Sequence, residues 1–173
     1  GIDPLEIIDK YGADALRLTL VTGNAPGNDM RFYNERVEAS RNFANKVWNA
    51  SRFIMMNMDE NIIDEPSHDL FTPADRWILS AANTLAKDVT DNMDKFELGI
   101  AVQKVYDFIW DEFCDWYVEM AKFRIYHKEE APEAANCALW VLKTVLAQGL
   151  KLLHPFMPFI TEEIYGALVP EEE

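Results

Sequence analysis

Positive charge is what this sequence has too little of. Sixteen Lys and Arg stand against thirty Asp and Glu, a formal net charge of -14. That balance excludes a general nucleic-acid binder, whose surface is basic overall, and no DNA partner is expected. Cysteine is scarce too, with only Cys114 and Cys137 present. Without a Cys-x-x-Cys or a Cys/His pair at ligand spacing, no metal site is expected. Two isolated cysteines on helical patterns read instead as small buried residues of a reduced, cytoplasmic protein. No apolar run approaches the ~20 residues of a membrane span, so no membrane partner is expected. No charged segment followed by an apolar one opens the chain, which argues against a secretory leader. The seven glycines form no phosphate-cradling loop, and neither alternating strands nor internal repeats appear. The chain opens on Gly1 without an initiator Met and reads as a piece of something longer.

What is present is apolar and helical. A chain of 173 residues that is 49% hydrophobic can bury the core of one domain. Asp3-Pro4 reads as a helix start with Gly12 as its stop, and residues 13–22 as a second short helix. Gly23 to Asp29 reads as a loop, Met30 to Tyr33 as a short extended piece, and Asn34 as the cap of a long helix reaching about Asn57. Asp59 to Phe71 is a loop. Thr72-Pro73-Ala74-Asp75 carries a capping box for a helix ending near Lys95, with Trp77, Ile78, Ala81, Leu85 and Val89 inward. A very long helix follows, from about Glu97 to Tyr126. Its apolar stripe of Ile100, Val105, Phe108, Ile109, Phe113, Trp116, Tyr117 and Met120 is assigned to the core, so that Trp116→Ala should unfold the protein. Pro132 opens a helix to Leu153, His154-Pro155 breaks it, and Pro158 starts the last one, with His154 capping carbonyls. Long amphipathic helices with short loops predict an all-α antiparallel bundle.

Charge is unevenly spread. Residues 1–53 hold seven basic and seven acidic residues, a sum of zero, while residues 54–173 hold nine against twenty-three and carry the whole -14. Within the neutral part, Ala39 to Met58 contains Arg41, Lys46 and Arg52 and no acid. At 100° per residue, Arg41, Arg52, Asn45, Asn49, Asn42, Phe53 and Lys46 share an arc of about 140°. Phe43, Ile54, Val47, Met58, Val37, Met55 and Trp48 fall on the opposite, inward side. A front of cations, amides and one aromatic suits single-stranded RNA. Arg41, Lys46 and Arg52 would meet phosphates or base edges, Asn42, Asn45 and Asn49 base edges, and Phe53 would stack on a base. Arg17 and Arg31 are read as pairing with Asp14 and Asp29, with contact to RNA backbone as the alternative. The acids Asp111, Glu112, Asp115 and Glu119 lack the Glu-x-x-His partner of a di-metal bundle, since the one match, Glu65 to His68, spans Pro66 in a loop.

These residues resemble a known family. Gly1 to Leu20, GIDPLEIIDKYGADALRLTL, is similar to the segment after the KMSKS loop of class I aminoacyl-tRNA synthetases. Thr22 to Phe32, TGNAPGNDMRF, and Arg41 to Phe53, RNFANKVWNASRF, resemble the valyl-tRNA synthetases in particular. FCDWY at 113–117 and LLHPFMPFITEEIY at 152–165 resemble the anticodon-binding bundle of that subfamily. The resemblance implies an anticodon-recognition domain of a valine–tRNA ligase. Residues 1–33 would be the connector from the catalytic core, lying inside the tRNA L, and residues 34–173 the helical bundle. The implied partners are the valine tRNA anticodon stem-loop, read at its middle adenine and third cytosine, and the catalytic and editing domains of the same polypeptide. ATP would be used by the parent enzyme. No HIGH or KMSKS signature is present, so no catalytic residue is assigned. Two alternatives stand beside this reading. The bundle could be a structural brace with RNA held elsewhere, in which case acids should surround Arg41 and Arg52. Or it could belong to an isoleucyl- or leucyl-tRNA synthetase, against which the Gly27 to Phe32 element argues.

Overall fold

The structure, a computed structural model, describes residues 2–23, 27, 30–58 and 64–169. Residues 24–26, 28 and 29 of the 23–29 loop, with the Asp29 partner of Arg31, residues 59–63 of the 59–71 loop and the C-terminal four residues lie outside them. Among the described residues there is helix and no strand: α1 (Pro4–Tyr11), α2 (Ala13–Val21), α3 (Asn34–Asn57), α4 (Pro73–Asp94), α5 (Leu98–Asp107), α6 (Glu119–Tyr126), α7 (Pro132–Leu153) and α8 (Pro158–Leu168). A short 3₁₀ turn, His68–Leu70, precedes α4, and a π-helical stretch, Phe108–Val118, joins α5 to α6.

Local chemistry sets most boundaries. The Asp3 side chain accepts from the Leu5 N–H at 2.9 Å to start α1, and Gly12, at φ +92°, turns the chain between α1 and α2 in a conformation only glycine takes without strain. The capping box at α4 forms as read, with Thr72 N–H donating to Asp75 at 2.8 Å and Asp75 N–H to Thr72 Oγ1 at 3.2 Å. At α3 the reading is corrected by one residue. Tyr33, extended at φ -129° and ψ 136°, is the N-cap, and Asn34 is already helical. The 30–33 segment is neither helix nor strand.

Order of contacts gives the topology. Phe43 stacks on Tyr106 at 4.4 Å, Lys46 reaches Asp115 at 2.6 Å, and Phe53 meets Tyr126 edge-on at 6.4 Å. The numbers rise together, so α3 and the long α5–π–α6 helix run parallel. Cys137 faces Asp75 and Gln148 donates to the Ala82 carbonyl, so α4 and α7 are parallel as well. Lys104 meets Asp88 while Arg124 meets Asp75, so α4 and the long helix run antiparallel. The core they share with α3 and α7 includes Phe43, Ile54, Ile78, Phe113, Tyr117, Leu142, Leu150 and Leu153, all buried. A smaller cluster of Ile7, Ala15, Leu16 and Val37 seats α1 and α2 on the start of α3.

The long helix departs most from its predicted face. Val105, Phe108, Ile109, Phe113 and Tyr117 are buried, but Ile100, Met120 and Trp116 are exposed, Trp116 at 62%. A π winding closes each hydrogen-bonded ring with one more residue than an α-helix, which rotates everything downstream. A wheel drawn at 100° per residue therefore misassigns Trp116 and Met120. On α4, Trp77 is likewise partly outside and Ala82 replaces Ala81 in the core.

Tyr117, within the π stretch, is fastened by a buried polar network. Its hydroxyl donates to Asp75 at 2.5 Å, and Arg124 donates to both Asp75 oxygens at 2.9 and 2.5 Å. Burial alone would raise the Asp75 carboxyl, but bonds from Arg124, Tyr117 and the Thr72 N–H outweigh it and hold the group below its ordinary value. Cys137 leans on the same network. Both cysteines are free and buried.

Candidate nucleic-acid interface

The face of α3 that reaches solvent is rotated from the one read on the sequence. Asn42, Asn45, Asn49 and Arg52 are exposed, and among the described residues no hydrogen bond or ion pair engages them. They recur at three- and four-residue spacing and so form one stripe. Lys46 and Phe53, at one edge of the predicted arc, are turned into the neighbouring helix. Lys46 bonds Asp115 and lies 3.7 Å over the Trp110 ring. Phe53 is half-buried against Tyr126, with Lys122 5.5 Å over its ring. At the other edge Trp48, assigned to the core by its wheel position, is 44% exposed. The exposed arc thus runs from Trp48 to Asn42, about 120° wide. The neighbour that displaces it is the π stretch with α6, which packs on the Lys46–Phe53 side.

Arg41 occupies the connector side of this face. It lies 3.6 Å from Glu38 and 5.4 Å over the Tyr11 ring, and its Nε is buried without a partner among the described residues. The charge map is therefore divided. Acids stand beside Arg41 and Lys46 but none pairs with Arg52. Both pairings lie at the surface, where ion pairs contribute little and exchange readily.

The missed residue is Trp116. Its indole is in solvent, one turn beyond Glu112, which faces α4 beside Trp77. Phe123 and Tyr126, further along α6, are exposed as well. The α3 face thus combines amides, a cation and the exposed Trp48 ring, with Tyr126 at its edge. That is the composition with which proteins stack and read unpaired bases. No sequence signal marked Trp116, because its inward assignment rested on α-helical phase.

On the connector, Arg17 does not pair with Asp14. Its Nε and Nη2 donate to the Phe156 and Pro155 carbonyls at 3.2 and 3.0 Å. His154 does not cap a carbonyl; its Nδ1 lies 2.7 Å from Thr161 Oγ1. Arg31 is exposed.

Comparisons with known proteins give the family and the fold. Residues 75–173 match the family described as the anticodon-binding domain of tRNA ligase. The chain is 60% identical over 174 residues, 100% of its length, to the valine–tRNA ligase of Clostridium tetani. It is 61% identical to that of Clostridium perfringens and 52% identical over 176 residues to that of Bacillus cereus. The chain spans 20% of the length of each of these relatives. In fold it is similar to Mycobacterium tuberculosis methionyl-tRNA synthetase in complex with methionyl-adenylate, with a TM-score of 0.80 at 20% identity, covering 94% of this chain and 33% of the other. The LeuRS–tRNA–LeuAMS ternary complex of Agrobacterium radiobacter K84 superposes with a TM-score of 0.70 at 20% identity, covering 99% of this chain and 20% of the other.

Proposed function

The chain belongs to the family of tRNA-ligase anticodon-binding domains, and on that premise we propose that it docks the anticodon stem-loop of valine tRNA on the exposed face of α3. The observation that carries this reading is the unengaged stripe Asn42–Asn45–Asn49–Arg52, flanked by exposed Trp48 on an otherwise acidic protein. The amides meet base edges, Arg52 meets phosphate, and the Trp48 indole stacks on a base released from the loop. Arg41 and Lys46 reach the backbone by exchanging Glu38 and Asp115 for phosphate. Phe53 is the least available of the seven residues, being held edge-on by Tyr126. Valine specificity is supported by the 60% identity to valine–tRNA ligase over the full chain.

The longer protein would join valine to its tRNA with ATP in the cytoplasm, using catalytic and editing domains of the same polypeptide. Residues 1–33 serve as connector and residues 34–173 as the reading bundle. None of the residues in this chain is assigned to ATP or to bond making. Their contribution is to hold the tRNA so that its far end meets the active site, where misplacement is costly.

The test is a titration of this chain with a valine anticodon stem-loop at low and moderate salt, beside a loop with its middle base changed. Binding that falls with salt and with the base change supports anticodon reading. Binding indifferent to the base leaves backbone affinity alone. Absence of binding at low salt overturns the proposal in favour of the brace.

A further inference from the structure

We propose that Asp14 and Arg17 are positioning residues that lock the connector to the α7–α8 corner. They thereby set the orientation between the anticodon-reading face and the catalytic part of the longer protein, an inference that rests on the function proposed above.

The corner has an unusual need of outside partners. Residues 154–158 read His-Pro-Phe-Met-Pro, so two of its five positions have no N–H to donate. Helix α8 begins with Met157 at its N-cap, and no side-chain bond from that residue closes its first turn. The cap comes instead from the far end of the sequence. Asp14 Oδ1 accepts from the Phe159 N–H at 3.3 Å and its Oδ2 from the Ile160 N–H at 2.7 Å. One turn along the same face of α2, Arg17 donates to the Pro155 and Phe156 carbonyls, just past the end of α7. An anion therefore meets the N-terminus of α8 and a cation sits just beyond the C-terminus of α7, each the favourable sign for the helix dipole.

The same connector also holds α3 directly. Thr19 and Ser40 hydroxyls bond at 2.8 Å, and Arg36 donates to the Thr22 carbonyl at 2.6 Å. Since α8 packs on α3 as well, the reading helix is gripped from two sides, and α2 cannot turn relative to it without breaking charged bonds. Arg17 is exposed and Asp14 half-buried, so their loss removes a helix cap but no core packing, and the bundle stays folded without them. What they constrain is direction.

The experiment uses the full-length synthetase that carries this chain, with Asp14→Leu, Asp14→Asn and Arg17→Leu. Expected for the two Leu variants is a fall of about 10²-fold in kcat for tRNA charging, the size of a small displacement far from the chemistry. KM for tRNA, the affinity for the isolated anticodon stem-loop, and valine-dependent ATP–pyrophosphate exchange without tRNA should stay unchanged. Asp14→Asn should restore most of kcat, because its carbonyl oxygen still accepts one α8 N–H. Unchanged charging overturns the clamp. So does stem-loop affinity falling in step with kcat, because the pair would then only keep α3 in place. A wild-type protein that fails to bind the stem-loop removes the underlying function instead, which separates the two failures.

Discussion

Trp116 changes meaning between sequence and structure. With its indole in solvent, Trp116→Ala should leave stability within about 0.5 kcal/mol of wild type. Trp48→Ala, on the α3 face itself, should weaken stem-loop binding by about 1–3 kcal/mol, the cost of one lost stacking platform. A thermal melt and a titration decide; a collapsed melt would return Trp116 to the core. Arg52 and Lys46 should also part company. Arg52→Ala is expected to leave stability alone and to make the salt dependence of binding shallower by a slope of about 1. Lys46→Ala should in addition lower stability by about 0.5–1 kcal/mol, because it removes the contact over Trp110. Titration of buried groups adds a pH signature. Burial pushes the Cys114 thiol up from 9.0 to about 12, and burial with the Asp75 carboxylate pushes the Tyr117 hydroxyl up as well. Above pH 9 the unfolded chain releases protons that the folded chain keeps, so stability should fall progressively toward pH 12. Cys114→Ala should flatten that fall in a pH series of denaturant melts.

At the scale of elements, two junctions carry strain or stored charge. Phe96, between α4 and α5, has φ +60° and is 86% exposed. It closes the end of α4 in the left-handed conformation that glycine occupies freely. Phe96→Gly should therefore stabilise the protein by about 0.5–1 kcal/mol, read as a higher melting temperature, since an exposed ring has little packing to lose. Asp75 is the opposite case: a helix-capping residue, legible in Thr72-Pro73-Ala74-Asp75, that also anchors Tyr117 and Arg124. Asp75→Ala should cost about 3–5 kcal/mol, because it strands Arg124 beside a lost partner. Its lowered carboxyl gives stability that is present above the unfolded value of 3.8 and lost as pH falls through the lower folded one. The capping box was readable because it is local. Its second use was not, since residues 117 and 124 reach it through the fold.

Over the whole molecule, charge decides how tRNA can approach. The -14 excess lies entirely beyond residue 53, so the neutral connector and α3 are where a polyanion meets least repulsion. Stem-loop affinity should accordingly drop steeply with added salt. Comparison of the isolated chain with the full-length protein tells how much of tRNA affinity this face supplies.

The sequence by itself determined the helices and their breaks, the caps of α1 and α4, the bundle, and the helix on which an RNA face would sit, because each depends on neighbours within a few positions. Family membership was legible in the separated motifs of residues 1–53, 113–117 and 152–165. Only the tertiary structure decided which side of α3 stays free. The parallel helix beside it takes Lys46 and Phe53 and leaves Trp48 outside, and its π winding brings Trp116 to the surface. It alone revealed that Asp14 caps a helix 145 residues away. The first backbone N–H groups of a helix have no partner within it and can be satisfied by any carboxylate the fold brings near, and nothing in the local sequence says which.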